Sequence, residues 1–102
     1  MLYRILTEDK PNLASLASRY LDGFTILYGT GYWRGVAEDS AIIEVDTVDE
    51  HKVLALASDI REYNHQEAVL VQRIESTNVL IEAKRKSVLD QLPITLNTQN
   101  RK

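Results

Sequence analysis

The hydrophobic and polar positions in the first quarter of the chain predict a strand followed by a helix. Residues 2–6 (LYRIL) form a short apolar run that is typical of a central strand. The apolar residues within 13–20 then recur at the spacing of one helical face. We expect Thr7 or Asp9 to cap this helix through a side-chain oxygen, and Gly23 to end it.

The next stretch predicts a β-hairpin. Residues 24–34 (FTILYGTGYWR) and 40–45 (SAIIEV) are rich in aromatic and β-branched side chains, and a predicted turn over residues 35–39 (GVAED) separates them. Glycine weakens a regular strand, so Gly29 and Gly31 are expected to mark a bulge or a bend in the first strand.

From residue 47 onward the pattern predicts a second helix and a last strand. Thr47 and Glu50 have the spacing of a capping box, and the apolar residues from 53 to 60 share one helical face. Residues 64–65 break the helix, and residues 68–74 (AVLVQRI) read as a strand. The core is predicted to consist mainly of Ile42, Ile43, Val45, Leu54, Ala57, Ile60, Val69 and Val71.

This order of elements predicts an α+β, ferredoxin-like βαββαβ domain over residues 1–75, with a four-stranded antiparallel sheet and two helices on one face. The other face of such a sheet is uncovered and needs a partner. Residues 76–92 predict a third helix or an extension, in which residues 78–92 pack on that face or on a neighbouring subunit. Residues 93–102 lack periodicity and predict a flexible tail.

Composition and charge narrow the function classes. The chain has 102 residues, enough for one domain, and no cysteine, which excludes disulfides and thiolate-metal sites. No apolar run approaches the roughly 18 residues of a membrane span, so we expect a cytoplasmic protein without a membrane partner. Residues 1–83 carry seven basic and fourteen acidic residues, whereas residues 84–102 carry five and one. So acidic a domain repels phosphate backbones, and we expect it not to bind nucleic acid.

The sequence contains no catalytic signature. Its glycines at 29, 31 and 35 lack the spacing of a dinucleotide-binding loop, and a strand follows where that motif needs a helix. His51 and His65 are its two histidines and lie fourteen residues apart. We therefore expect no catalytic residues, no metal and no cofactor.

The hairpin carries the main candidate site. It brings together Tyr32, Trp33, Arg34, Glu38 and Ser40. An aromatic pair beside a guanidinium suits a planar or anionic ligand. The alternative is that the aromatic rings pack the sheet edge while Arg34 pairs with Glu38 in solvent.

A second group of candidates lies around the last strand. Gln66 and Glu67 precede it, where a carboxylate caps backbone donors or meets Arg4 on the first strand. Arg73, or the basic segment of another subunit, is expected to close the ligand site.

Four short segments carry a family resemblance: Gly31-x-Trp33-Arg34, Glu38-x-Ser40, Tyr63 and Gln66-Glu67-Ala68-Val69-Leu70. They resemble a family of small uncharacterised ferredoxin-like domains of bacterial and phage proteins. The resemblance covers about residues 22–72 and is most specific in the Gln-Glu-x-Val-Leu segment. The turn between Arg34 and Glu38 is shorter here than in the bacterial members. The resemblance implies a compact ferredoxin-like domain and brings no established reaction.

Three classes of function remain open. We expect a non-catalytic binding module that forms a homo-oligomer, most simply a homodimer. In its sharpest form it is a phage protein that sequesters a small anionic or nucleotide ligand, or blocks a host defence protein, in the host cytoplasm. The alternatives are a structural or regulatory protein–protein interaction domain and a small ferredoxin-like enzyme that performs proton-transfer chemistry.

Overall fold

A computed structural model describes residues 1–82 of the chain and contains six elements in the predicted order. They are β1 (Leu2–Glu8), α1 (Leu13–Ser18), β2 (Thr25–Trp33), β3 (Val36–Asp46), α2 (Glu50–Tyr63) and β4 (Leu70–Ile74). Residues 75–82 have no regular secondary structure, so the predicted helix over 78–92 is not formed in its first five residues. The rest of that helix and the predicted tail lie outside the described residues.

The four strands form one sheet in the order β2-β3-β1-β4, and every neighbouring pair is antiparallel. Burial alternates along the central strand β1, where Tyr3, Ile5 and Thr7 are buried and the residues between them are half-buried. This alternation follows from the period of two in a strand, and it places one sheet face against the helices. The α+β, ferredoxin-like fold is therefore confirmed.

The core lies between that face and the helices. Helix α2 contributes Val53, Leu56, Ala57 and Ile60, which are all buried, as the helical spacing predicts. The inclusion of Leu54 in the core was wrong, because Leu54 follows Val53 on the solvent side of the helix and is 46% exposed.

The strand residues of the predicted core differ in how far they are buried. Ile43 and Val45 are buried, whereas Ile42 points to the opposite sheet face and is half-buried. Val69 and Val71 are partly buried and pack against the core cluster. The error at Ile42 has the same cause as that at Leu54, since an apolar residue beside a buried one was assigned to the same face.

The hairpin is longer and tighter than predicted. Its register runs without interruption from Thr25 opposite Glu44 to Trp33 opposite Val36, so neither Gly29 nor Gly31 forms a bulge. Residues 36–39 belong to β3 rather than to the turn. The turn itself is Arg34-Gly35, whose φ values of 53° and 82° are those of a two-residue type I′ turn.

The helix ends also differ from the predicted caps. Thr7 lies inside β1, and residue 12 occupies the N-cap of α1 without a side-chain cap bond. Helix α1 ends at Ser18, before the predicted stop at Gly23. Asp49, not Thr47, caps α2, because its carboxylate accepts from the backbone N–H of residue 52 at 3.2 Å. Residues 64–65 end α2 as predicted, and His65 has a φ of 54°.

The sheet face opposite the helices, here called the open face, carries an aliphatic row with one residue from each strand. In strand order the row is Leu27, Ile42, Leu6 and Leu70, which are direct register neighbours. Leu27 is 45% and Leu70 56% exposed, and the two central residues are half-buried.

No helix among residues 1–82 is long and apolar enough to span a membrane.

Candidate functional site

Three side chains meet where the hairpin tip approaches the loop that leads into β4. Both the Trp33 indole Nε1 and the Arg34 guanidinium donate to the Glu67 carboxylate, at 3.3 and 2.8 Å. The guanidinium carbon also lies 5.5 Å from the centre of the Trp33 ring, within cation–π range. We call these three residues the hairpin-tip cluster. It presents a flat aromatic surface and two opposite charges on the outside of the domain.

The backbone of Arg34 gives this cluster a second notable feature. The first position of a type I′ turn requires a positive φ, which asparagine and glycine adopt easily. An ordinary side chain there costs about 1 to 2 kcal/mol. Its ion pair with Glu67 is exposed on both sides, 71% and 59%, and such pairs contribute about 0 to 1 kcal/mol. The arginine at this turn is therefore not explained by stability alone.

The remaining hairpin candidates do not join the cluster. Tyr32 is adjacent to Trp33, so it points to the opposite face of the strand, and it is 74% exposed. Glu38 lies opposite Gly31 and Ser40 opposite Gly29 in the ladder. The alternative that paired Arg34 with Glu38 was wrong in its partner, because the carboxylate that Arg34 contacts belongs to Glu67.

Gln66 has a structural position rather than a surface one. Only 5% of it is exposed, and its Nε2 donates to the Thr7 hydroxyl at 2.7 Å. Its Oε1 accepts from that hydroxyl at 3.0 Å and from the backbone N–H of Glu8 at 3.2 Å. This network ties the loop before β4 to the end of β1. It thereby fixes the position of the next residue, Glu67.

Two expectations for this region need correction. Arg4 pairs with Glu44 on β3 at 2.7 Å, so it is not the partner of Glu67. Arg73 lies opposite Tyr3, near the start of β1, whereas Ser40 and the hairpin tip lie at and beyond the end of β1. Arg73 and the hairpin-tip cluster are therefore at opposite ends of the sheet, and Arg73 does not close that site within one copy.

Arg73 instead takes part in a network that the sequence analysis missed. The Glu50 carboxylate accepts from the Tyr3 hydroxyl at 2.9 Å and from the Arg73 guanidinium at 2.8 Å. Both bonds favour the ionised carboxylate and lower the pKa of Glu50. Burial, and then the bond to Glu50, raises the pKa of Tyr3, while the same carboxylate raises the pKa of Arg73. The network joins the first turn of α2 to β1 and β4.

A similar contact joins the turn that follows α1 to helix α2. The Tyr20 hydroxyl donates a hydrogen bond to the Asp59 carboxylate, and this bond is the main cause that raises the pKa of Tyr20. Within residues 1–82 no group of three or more His, Asp or Glu side chains is placed to hold a metal ion.

The aliphatic row on the open face is the other feature that the sequence analysis did not identify. The alternation of side chains between the two sheet faces could have identified part of this row, because Leu6 and Ile42 each adjoin a residue that is fully buried on the helix side. Joining them to Leu27 and Leu70 requires the register of three strand pairs. That register is not readable from one sequence.

Comparisons with known proteins inform the fold. The sequence matches no protein-family profile, and no curated protein matches it. Among solved structures it is similar to a DUF3240 family protein from Shewanella baltica, with a TM-score of 0.57 and 14% identity over 78% of this chain and 94% of that one.

Two further structures are more distant. A phage SAM lyase in its apo state has a TM-score of 0.45 and 23% identity, over 69% of this chain and 75% of the lyase. The de novo designed protein Foldit4 has a TM-score of 0.46 and 15% identity, over 74% of this chain and 94% of the design. The likeness to the Shewanella protein supports the assignment of this chain to the α+β, ferredoxin-like fold.

Proposed function

We propose that this protein is a non-catalytic binding module that takes a protein partner on its open face. The observation that carries the proposal is the aliphatic row, which crosses all four strands on the side that has no helix among residues 1–82. Burying a leucine side chain completely contributes about 1.5 to 3 kcal/mol. Leu27 and Leu70 are each about half exposed, so a partner that covers them gains about 1 kcal/mol from each.

The shape of this face favours a protein over a small molecule. Small-molecule sites are concave and enclose most of the ligand surface. The aliphatic row lies instead on a continuous sheet. None of its four residues lines the concave region around Glu75–Thr77 or the one formed by Leu2, Gly23–Thr25 and Glu44–Asp46. A flat apolar strip with polar neighbours is the usual form of a protein interaction surface.

Charge indicates the chemistry of the partner. Beside the row, the open face carries the carboxylates of Glu8, Glu44 and Asp46, and each is paired with a cation of the same chain, namely Lys10, Arg4 and the N-terminal ammonium. The excess of negative charge is therefore a property of the domain rather than of these three groups. Residues 1–82 as a whole have fourteen acidic and seven basic side chains. The resulting negative electrostatic potential favours the approach of a basic protein surface. The proposed partner is therefore a protein surface with aliphatic side chains flanked by Lys or Arg.

Site-specific photo-crosslinking tests the proposal with a matched control. Leu70 on the open face and Leu54 on the outer side of α2 are 56% and 46% exposed, so the same photoreactive amino acid at either position is similarly accessible. In cells that express the protein, we expect the photoreactive residue at position 70 to form a discrete crosslinked adduct and the one at position 54 to form none. Leu6→Lys, which puts a charge in the centre of the row, should abolish that adduct. Adducts of equal yield at both positions, or insensitive to Leu6→Lys, contradict the proposal.

The hairpin-tip cluster supports a second candidate function, the retention of a small planar ligand. The specific observation is the stack of Arg34 on Trp33, at a turn position where arginine is conformationally unfavourable. Because the guanidinium already contacts Glu67, an anion has to compete with that carboxylate. Native mass spectrometry of the freshly purified protein tests this function. A retained small molecule that Arg34→Ala removes supports it, and mass spectra free of any adduct contradict it.

A further inference from the structure

The two edges of the sheet differ in how well they are protected against pairing with another strand. An unpaired edge exposes a row of backbone N–H and C=O groups, and proteins usually guard it with charges, proline or a short strand. The edge strand β4 has five residues, includes Arg73 and is followed by Glu75. The opposite edge strand β2 has nine residues, and TILYGTGYW contains neither a charged residue nor a proline.

The side chains of β2 also suit a further strand. Leu27, Tyr28, Tyr32 and Trp33 are between 45% and 74% exposed, and they lie on both faces of the strand. No strand among residues 1–82 pairs with the outer edge of β2. An extended segment of another chain can pair with such an edge through main-chain hydrogen bonds.

We propose that β2 pairs antiparallel with β2 of a second copy of this chain, so that two sheets join into one of eight strands. The two-fold axis passes through Gly29, the middle residue of Thr25–Trp33, and this register pairs all nine residues of the strand. It sets Leu27 opposite Gly31 of the second copy, and Ile26 opposite Tyr32 of the second copy. The first pair matches a large side chain with an empty position, and the second is a favourable aromatic and β-branched pair.

Self-complementarity favours a second copy as the occupant, because one register pairs the whole of β2 with itself. Residues 1–82 have twice as many acidic as basic side chains, so two copies repel each other over most of their surfaces. The uncharged strand β2 offers a contact that avoids this repulsion. The interface is isologous, since the same strand serves both subunits. It meets the proposed open-face site at Leu27, whereas Leu6 and Leu70 lie on the two strands farthest from β2.

Residue 29 makes the register testable, because in this arrangement it faces itself across the axis. A Cβ at Gly29 meets no atom within 4 Å, so a longer side chain is accommodated in the single copy. Gly29→Lys places two ammonium groups opposite each other, and Gly29→Glu places two carboxylates there. We expect each variant alone to raise the dimer dissociation constant by about tenfold or more, and an equimolar mixture of the two to restore dimers.

Sedimentation equilibrium of the full chain, with circular dichroism to verify folding, measures these outcomes. Gly23→Lys is the matched control, because a Cβ at Gly23 also meets no atom within 4 Å and the residue lies outside β2. The proposal is supported if the unsubstituted chain and Gly23→Lys are dimers, each Gly29 variant alone is a monomer, and the mixture of the two Gly29 variants is again a dimer. A monomeric unsubstituted chain, dimeric single variants, a monomeric mixture or a monomeric Gly23 variant overturns it.

Discussion

Replacing Gln66 with alanine distinguishes a structural residue from a ligand-binding one. The substitution removes three hydrogen bonds. The Gln66 Nε2 donates one to the Thr7 hydroxyl, and the Gln66 Oε1 accepts the other two from that hydroxyl and from the Glu8 N–H. Each contributes about 1 kcal/mol net, and the buried groups left without a partner add to the cost. Gln66 and Thr7 are 5% and 6% exposed, so water replaces little of the lost bonding. We expect a loss of about 3 kcal/mol in the free energy of unfolding.

Thermal unfolding followed by circular dichroism measures this loss. For a domain of this size, about 3 kcal/mol corresponds to a fall in the midpoint of roughly 12 to 24 °C. Gln72→Ala is the matched control, because Gln72 is an exposed glutamine in β4, and its removal should change the midpoint by little. Equal midpoints for the two variants would refute the structural role of Gln66 and return it to the candidate ligand residues.

Three further predictions concern the core, the turn and the pH dependence. Ile60→Ala should cost about 2 to 5 kcal/mol in a urea titration and Leu54→Ala less than about 1, because the first is fully buried and the second half-exposed; equal midpoints would contradict the packing of α2. Arg34→Asn should be more stable to urea than Arg34→Ala by about 1 kcal/mol, since asparagine tolerates the positive φ, and the reverse order would contradict the turn. The lowered pKa of Glu50 stabilises the fold above the ordinary carboxyl value of about 4.3, and this contribution is lost as the pH falls through the lower folded value. The difference in free energy of unfolding between the unsubstituted chain and Glu50→Gln should therefore be largest at pH 7 and disappear on acidification. A difference independent of pH would contradict the network.

Local patterns predicted the elements well, because each depends on residues that are close in sequence. The four buried residues of α2 share a helical face, and that spacing alone identified the helix. The order of six elements then fixed the fold class. The hairpin turn was misplaced for a specific reason. Gly35, Glu38 and Asp39 suggested a turn, yet residues 36–39 pair as strand because the hairpin extends beyond β1, where both faces meet solvent.

The candidate site was predicted less well because its contacts join distant parts of the chain. Trp33 and Arg34 meet Glu67, 34 and 33 residues away, and nothing local to the hairpin distinguishes this carboxylate from Glu38. Gln66 and Glu67 are adjacent, yet the first is buried and the second exposed. Which of two neighbouring polar residues turns inward depends on the partner that β1 offers, and this is a property of the assembled sheet.

The central claim, that the open face is free to receive a partner, is tested most directly by solvent relaxation of side-chain methyl groups. The full chain is methyl-labelled at leucine and isoleucine and titrated with a soluble paramagnetic gadolinium chelate. We predict relaxation of the Leu70 methyls as strong as that of Leu54, whereas the methyls of Ile5 on the covered face remain unaffected. Leu70 methyls as protected as those of Ile5 would show that the open face is already covered, and would contradict the proposed function.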